Sequence, residues 1–199
     1  MNNKLLAFVT EISRLVERAD LGQESILKEA GRHMEGLVAR DDWLPASMAQ
    51  PHPKYYQQHL LYGDLFDRFS VVSFVWGPGQ FTPVHDHTVW GVIGMLRGAE
   101  REVPYERTDD GRLLPSGPPR VLEPGDVACV APGIGDIHAV SNALDDEVSI
   151  SIHLYGGNIG KIQRNTYDPQ TGSSRPFVSG YSNALLPNLW AMERGDRGA

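Results

Sequence analysis

The chain has 199 residues, 41% of them hydrophobic and 22% charged, which suits one globular domain and is short for two. Its formal charge of −7 and isoelectric point near 5.4 exclude the broad positive field that holds a phosphate backbone, so nucleic acid is not an expected partner. No apolar run reaches the ~18 residues that span a bilayer, the opening stretch lacks the apolar core and cleavage site of a signal peptide, and a single cysteine, Cys129, allows no intrachain disulfide; no membrane and a cytoplasmic location are the expectation.

In chain order, Leu5, Phe8, Val9, Ile12, Leu15 and Val16 form one helical stripe, and Ile26, Leu27, Ala30, Met34, Leu37 and Val38 form a second after a break at Gly22. Asp41, Asp42 and Pro45 end this helical layer, which spans residues 1–45. From about Tyr55 the texture changes to short β-branched and aromatic runs between Gly, Pro and Asp, the pattern of a closed double sheet. The expected strands are 56–62, 69–76, 82–88, 92–96, 102–107, 120–122, 127–131, 138–141 and 148–155, within a barrel core at 55–156. Val127, Ala128 and Val130 around Cys129 predict a buried structural thiol with no chemical role. Residues 157–199 read as an extension rich in Gly, Asn, Ser and Pro, with 166–175 a loop and 184–192 a short apolar piece that packs back. No repeat or linker marks a second domain, so 1–199 is read as one unit.

Within the third strand, His85 and His87 flank Asp86, and the period of two turns both imidazoles to one face. Two imidazoles side by side suit a metal; His138, after the turn-rich APGIGDIH, is the candidate third ligand. Three neutral ligands leave a divalent ion its full charge and open positions, and they suit zinc, copper, nickel or iron alike. In the last strand Ser151, His153 and Tyr155 share one face, with Ile150, Ile152 and Leu154 on the other. Trp76 and Trp90 are read as core packing, and His59 as structural.

These residues carry a resemblance. Gly79, His85, His87 and Gly98 match the first cupin motif, with Gly91 at the place of its glutamate. Gly125, Pro132, Gly135, His138 and Asn142 resemble the second, with one extra residue in its front half. A Ser-x-His-x-Tyr strand following a three-histidine cupin set resembles the cysteine dioxygenase type I family over about Tyr55 to Arg164. The resemblance implies a mainly β cupin barrel with an N-terminal α-helical layer. It implies one iron(II) per chain on His85, His87 and His138, and a relay of Ser151, His153 and Tyr155 ending at the metal. It also implies a reaction of a small thiol-carboxylate with O2 that gives a sulfinic acid.

Two departures bear on the substrate. Gly91 stands where animal members carry a cysteine cross-linked to the tyrosine, so Tyr155 is expected as a free phenol. Gln58 stands where cysteine-using members carry an arginine, and an amide lacks the charged fork that grips a carboxylate. Arg164 matches the arginine of the glutamine-type subgroup, whose members resemble 3-mercaptopropionate dioxygenases. Arg164 is therefore expected to hold the substrate carboxylate and Gln58 to add a neutral hydrogen bond. 3-Mercaptopropionate is the expected substrate, cysteine the alternative, and a non-catalytic metal-binding cupin the rival from another class.

Overall fold

The computed structural model of the protein describes residues 4–190. Both expected helices form, α1 over Lys4–Val16 and α2 over Gln23–Val38, and their apolar stripes are buried. Among the described residues twelve strands follow: β1 Gln57–Gly63, β2 Ser70–Trp76, β3 Val84–His85, β4 Gly91–Arg97, β5 Glu100–Arg107, β6 Leu113–Pro115, β7 Arg120–Leu122, β8 Val127–Val130, β9 His138–Asn142, β10 Ser149–Tyr155, β11 Arg164–Tyr167 and β12 Ser174–Phe177. They make a five-stranded sheet ordered β1-β2-β10-β4-β8 and a second sheet ordered β12-β11-β3-β9-β5-β6, with β7 also on β5. The chain is thus a mainly β, double-stranded β-helix barrel of the cupin type with an α-helical layer. No helix among the described residues is long and apolar enough to cross a membrane.

The helices explain why β2 and β10 are buried on both faces. Val71, Val75, Ile150, Ile152, Leu154 and Val92 join the helical stripes in the larger core, while Val72, Phe74, Trp76 and Tyr155 turn into the barrel. Close approach of α2 to the sheet depends on Gly94 of β4: a Cβ there would lie 2.6 Å from Met34 Cγ and 2.8 Å from Val38 Cγ1.

Five local departures from the expected pattern stand out. The segment 166–175, read as a loop beyond a barrel ending at 156, contributes most of the β11–β12 hairpin, which adds two strands next to β3. Its residues lack apolar alternation, and it is held by pairing and by polar bonds to Asp86, described below. The strand expected over 82–88 is short, because the backbone leaves the ladder after His85 and Thr88 adopts a left-handed φ of 61°. Strand β6 was not expected at all. Cys129 is exposed, not buried, because β8 edges its sheet and alternates Ala128 and Val130 inward with Cys129 outward. Of the apolar piece at 184–192, Leu189 packs into the larger core, Leu185, Leu186 and Trp190 are exposed, and 191–192 lie outside the described residues.

Candidate active site

His85 and His138 are directly opposed across the β3–β9 pair, and His87 reaches the same point from the turn after β3. The three rings have centroids 4.8 to 4.9 Å apart, and one nitrogen from each lies within 4.8 Å of the others. The period-two expectation for His85 and His87 therefore has the right outcome with a different cause. His87 is aimed by Asp136, which accepts the backbone N–H of His87 at 3.0 Å and of Thr88 at 3.1 Å.

The tautomers follow from acceptor-only partners. His85 Nδ1 lies 3.0 Å from the Pro83 carbonyl, His87 Nδ1 lies 3.1 Å from Asp136 Oδ1, and His138 Nδ1 lies 2.8 Å from Glu102 Oε1. Each oxygen can only accept, so each Nδ1 donates and each Nε2 keeps its lone pair for the shared point. Burial, then the neighbouring imidazoles, hold His85 well below the usual histidine range; burial with His138 and Arg164 does the same for His87. Neutral, pre-oriented imidazoles are what a divalent cation requires. No carboxylate stands among the three, since Gly91 occupies that place and a Cβ there would meet the Tyr155 ring at 3.0 Å.

Glu102 and Asp136 were not anticipated from the sequence. Glu102 is held down to about 2: burial raises it, and the hydrogen bonds from His138 and Arg120 more than reverse that. The available signal was Glu100-Arg-Glu102 at period two beside a glycine turn, which places two carboxylates on one strand face. Asp86 was seen only as the residue facing away from the imidazoles. Its carboxylate accepts Asn165 N at 2.7 Å, Asn165 Nδ2 at 3.0 Å and the Tyr167 hydroxyl at 2.6 Å, and so pins β11 to β3.

The expected relay is contiguous. Ser151 Oγ lies 2.8 Å from His153 Nε2, and His153 Nδ1 lies 2.8 Å from the Tyr155 hydroxyl. Phe74 lies against the His153 ring at 4.2 Å, and Trp76 Nε1 donates to Ser151 Oγ at 3.3 Å, so Trp76 does more than pack. The Tyr155 ring stacks on His87 at 5.6 Å between centroids. Burial pushes the Tyr155 phenol up, so it stays protonated at any physiological pH.

One cavity of about 220 Å³ opens over the histidines, the space of roughly seven waters. Its walls include Tyr56, Phe74, Trp76, His153, Tyr155 and Phe177, and both Gln58 and Arg164 line it. Arg164 is 3% exposed; its guanidinium lies over the Phe177 ring at 4.7 Å, donates from Nη2 to Ser179 Oγ at 2.8 Å, and keeps a buried Nε–H with no protein acceptor. Gln58 donates to the same Ser179 Oγ at 3.1 Å and to the Gly180 carbonyl at 3.2 Å. Both contacts are made by its Nε2, so Gln58 ties the Ser179 segment against Arg164 while it lines the cavity. His59 is buried with its Nδ1 unpartnered and does not reach the cavity.

The family model for cysteine dioxygenase type I matches residues 46–168. A cysteine dioxygenase type 1 of Danio rerio is 31% identical over 53% of this chain and 52% of its own length. The Homo sapiens protein of the same name is 24% identical over 82% of this chain and 80% of its own. Among solved structures, a double-stranded β-helix protein from Klebsiella pneumoniae aligns with a TM-score of 0.46 at 18% identity, covering 59% of this chain and 88% of that one.

Proposed function

We propose that this chain, which belongs to the cysteine dioxygenase type I family, is an iron(II)-dependent thiol dioxygenase that adds both atoms of O2 to the sulfur of a small mercapto-acid. The observation that carries this reading is the convergence, in one buried cavity, of three Nε2 lone pairs, a Ser–His–Tyr relay and an arginine with an unpartnered donor. Iron(II) on His85, His87 and His138 would supply the redox chemistry that joins O2 to the substrate sulfur, with no external reductant.

The chain's own residues then bind, orient and protect. Arg164 takes the substrate carboxylate, a charge-assisted pair worth about 1.5 to 3 kcal/mol once water is excluded. The aromatic walls exclude that water and fix the His153 plane. His153 is held well below the usual histidine range by burial, then by His87 and His138, so it is a neutral link that passes orientation from Ser151 to Tyr155. Tyr155 presents a protonated hydroxyl beside the histidines, where negative charge develops on oxygen during the reaction.

For the substrate, the cavity lining supports 3-mercaptopropionate. It holds the cation Arg164 and no aspartate or glutamate, so a carboxylate finds a partner there while the ammonium of an amino acid finds no carboxylate. Leaving an ammonium buried without a partner costs several kcal/mol. Cysteine is the second reading, favoured by the names of the relatives.

Tyr155→Phe separates an enzyme from a metal-binding module. Iron content should stay at one per chain while kcat falls by about 100-fold or more, in the range of a lost proton donor. Turnover unchanged with iron bound would remove Tyr155 from the mechanism.

A further inference from the structure

The Ser–His–Tyr relay does not end at Ser151. Ser151 Oγ is also hydrogen-bonded to Glu100 Oε1, so four side chains run unbroken from a buried carboxyl to the Tyr155 hydroxyl. Glu100 is 2% exposed, on β5, and among the described residues its carboxyl is bonded to Ser151 and, more weakly, to the Trp76 indole. A carboxyl group in that position has no ion pair to justify its burial. Glu102, two residues on, is matched by Arg120 and His138; Glu100 is not.

Each link can be satisfied in two ways. With Glu100 ionised, Ser151 must donate to it; Ser151 then accepts from His153 Nε2–H, His153 Nδ1 is an acceptor, and the Tyr155 O–H points to His153. With Glu100 protonated, it donates to Ser151, Ser151 donates to His153 Nε2, His153 donates from Nδ1 to the Tyr155 oxygen, and the Tyr155 O–H is released toward the cavity. Trp76 Nε1–H donates to Ser151 in both arrangements, and the two lone pairs of that oxygen accommodate it in both.

We propose that Glu100 is a positioning residue whose protonation sets the direction of the whole relay, and that only its protonated form turns the Tyr155 hydroxyl toward the histidine centre. The proposal rests on the thiol dioxygenase reading for its consequence in turnover, but not for the coupling between Glu100 and His153. The groups that face Glu100 are few: Glu102 on its own strand, His138 on β9 and His153 on β10, across a void of about 10 Å³ lined otherwise by Ile93, Leu122, Ala128 and Val140. Arg120 of β7 is engaged by Glu102. Burial in this lining is the main cause that pushes Glu100 up to about 7, with the charge of Glu102 adding to it. The carboxyl therefore changes state in the range where a thiol-processing enzyme works.

The test is the tautomer of His153, read by 15N NMR of histidine-labelled protein with zinc, which is diamagnetic, in the three-histidine site. As pH rises through about 7, the His153 signals should change from the Nδ1–H to the Nε2–H pattern, and Glu100→Gln should abolish the change. Ser151→Ala, which cuts the chain between Glu100 and His153, should abolish it too. In the iron-loaded protein kcat should fall about tenfold per pH unit above that point, KM should stay within about twofold, and Glu100→Gln should flatten the profile. A His153 tautomer that is constant across this range in the unaltered protein overturns the proposal, and that result needs no variant to fold. So does a tautomer change that persists in Glu100→Gln. Absence of turnover with every thiol overturns the dioxygenase reading alone, because the tautomer is measured without turnover.

Discussion

Arg164 combines a buried position, a guanidinium stacked on Phe177 and a donor left without a protein acceptor. Burial is the main cause lowering its affinity for its proton, and a guanidinium keeps its charge in proteins. A buried cation with an idle N–H is stabilised by a bound anion, and this is the physical basis for assigning it the carboxylate. Arg164→Ala is expected to raise KM for 3-mercaptopropionate by at least tenfold, the effect of losing roughly 1.4 kcal/mol or more, with iron content unchanged. Steady-state kinetics beside metal analysis checks this, and an unchanged KM would place the carboxylate elsewhere. Gln58 shares Ser179 with Arg164, so its contribution is to hold the wall behind the guanidinium.

Strands, not isolated residues, bring these groups together. β10 carries the relay on its inner face because the register sets Ser151 opposite Phe74, His153 opposite Val72 and Tyr155 opposite Gly91. Its outer face is covered by α1 and α2, which makes the helical layer part of the site's rigidity. Gly94→Ala would force a methyl into Met34 and Val38, and overpacking of this kind costs about 1 to 3 kcal/mol. Thermal unfolding should show Tm lowered by several degrees, since about 2 to 4 °C accompanies each kcal/mol at this chain length; an unchanged Tm would mean that α2 shifts freely. At the other sheet, Asp86 ties β11 to β3 through Asn165 and Tyr167, and β11 begins at Arg164. Asp86→Ala should therefore raise KM by roughly fivefold, about 1 kcal/mol, without removing the metal. Equal KM values in the two proteins would show that β11 holds Arg164 without this anchor.

The whole molecule is a barrel whose two sheets each supply part of one centre: β3, the turn after it and β9 the histidines, β10 the relay, β1 and β11 the far wall. Much of this was legible in the sequence wherever periodicity coincided with burial. The helical stripes and the runs of β2 and β10 follow from spacing; His85, His87 and His138 do converge, but Asp136 rather than the strand period aims His87. What was not legible depends on partners distant in sequence. β11 and β12 have no apolar alternation, and they become strands because Asp86 and β3 offer bonds. Glu100 and Glu102 look like a solvated charged face until β5 is paired beside β9, which turns both side chains to the void they share with His138 and His153. Cys129 looked buried because its neighbours are apolar, and only the alternation of an edge strand turns it outward.

Oxygen uptake by the iron-loaded protein, with 3-mercaptopropionate and cysteine compared side by side and the sulfinate identified by mass, bears most directly on the proposed activity. We predict sulfinate from both or from 3-mercaptopropionate alone, with 3-mercaptopropionate ahead by at least tenfold in kcat/KM, about 1.4 kcal/mol of transition-state stabilisation. A preference for cysteine would contradict the assignment of the carboxylate-lacking cavity to an amine-free thiol, and no oxygen uptake with either thiol would contradict the thiol dioxygenase itself.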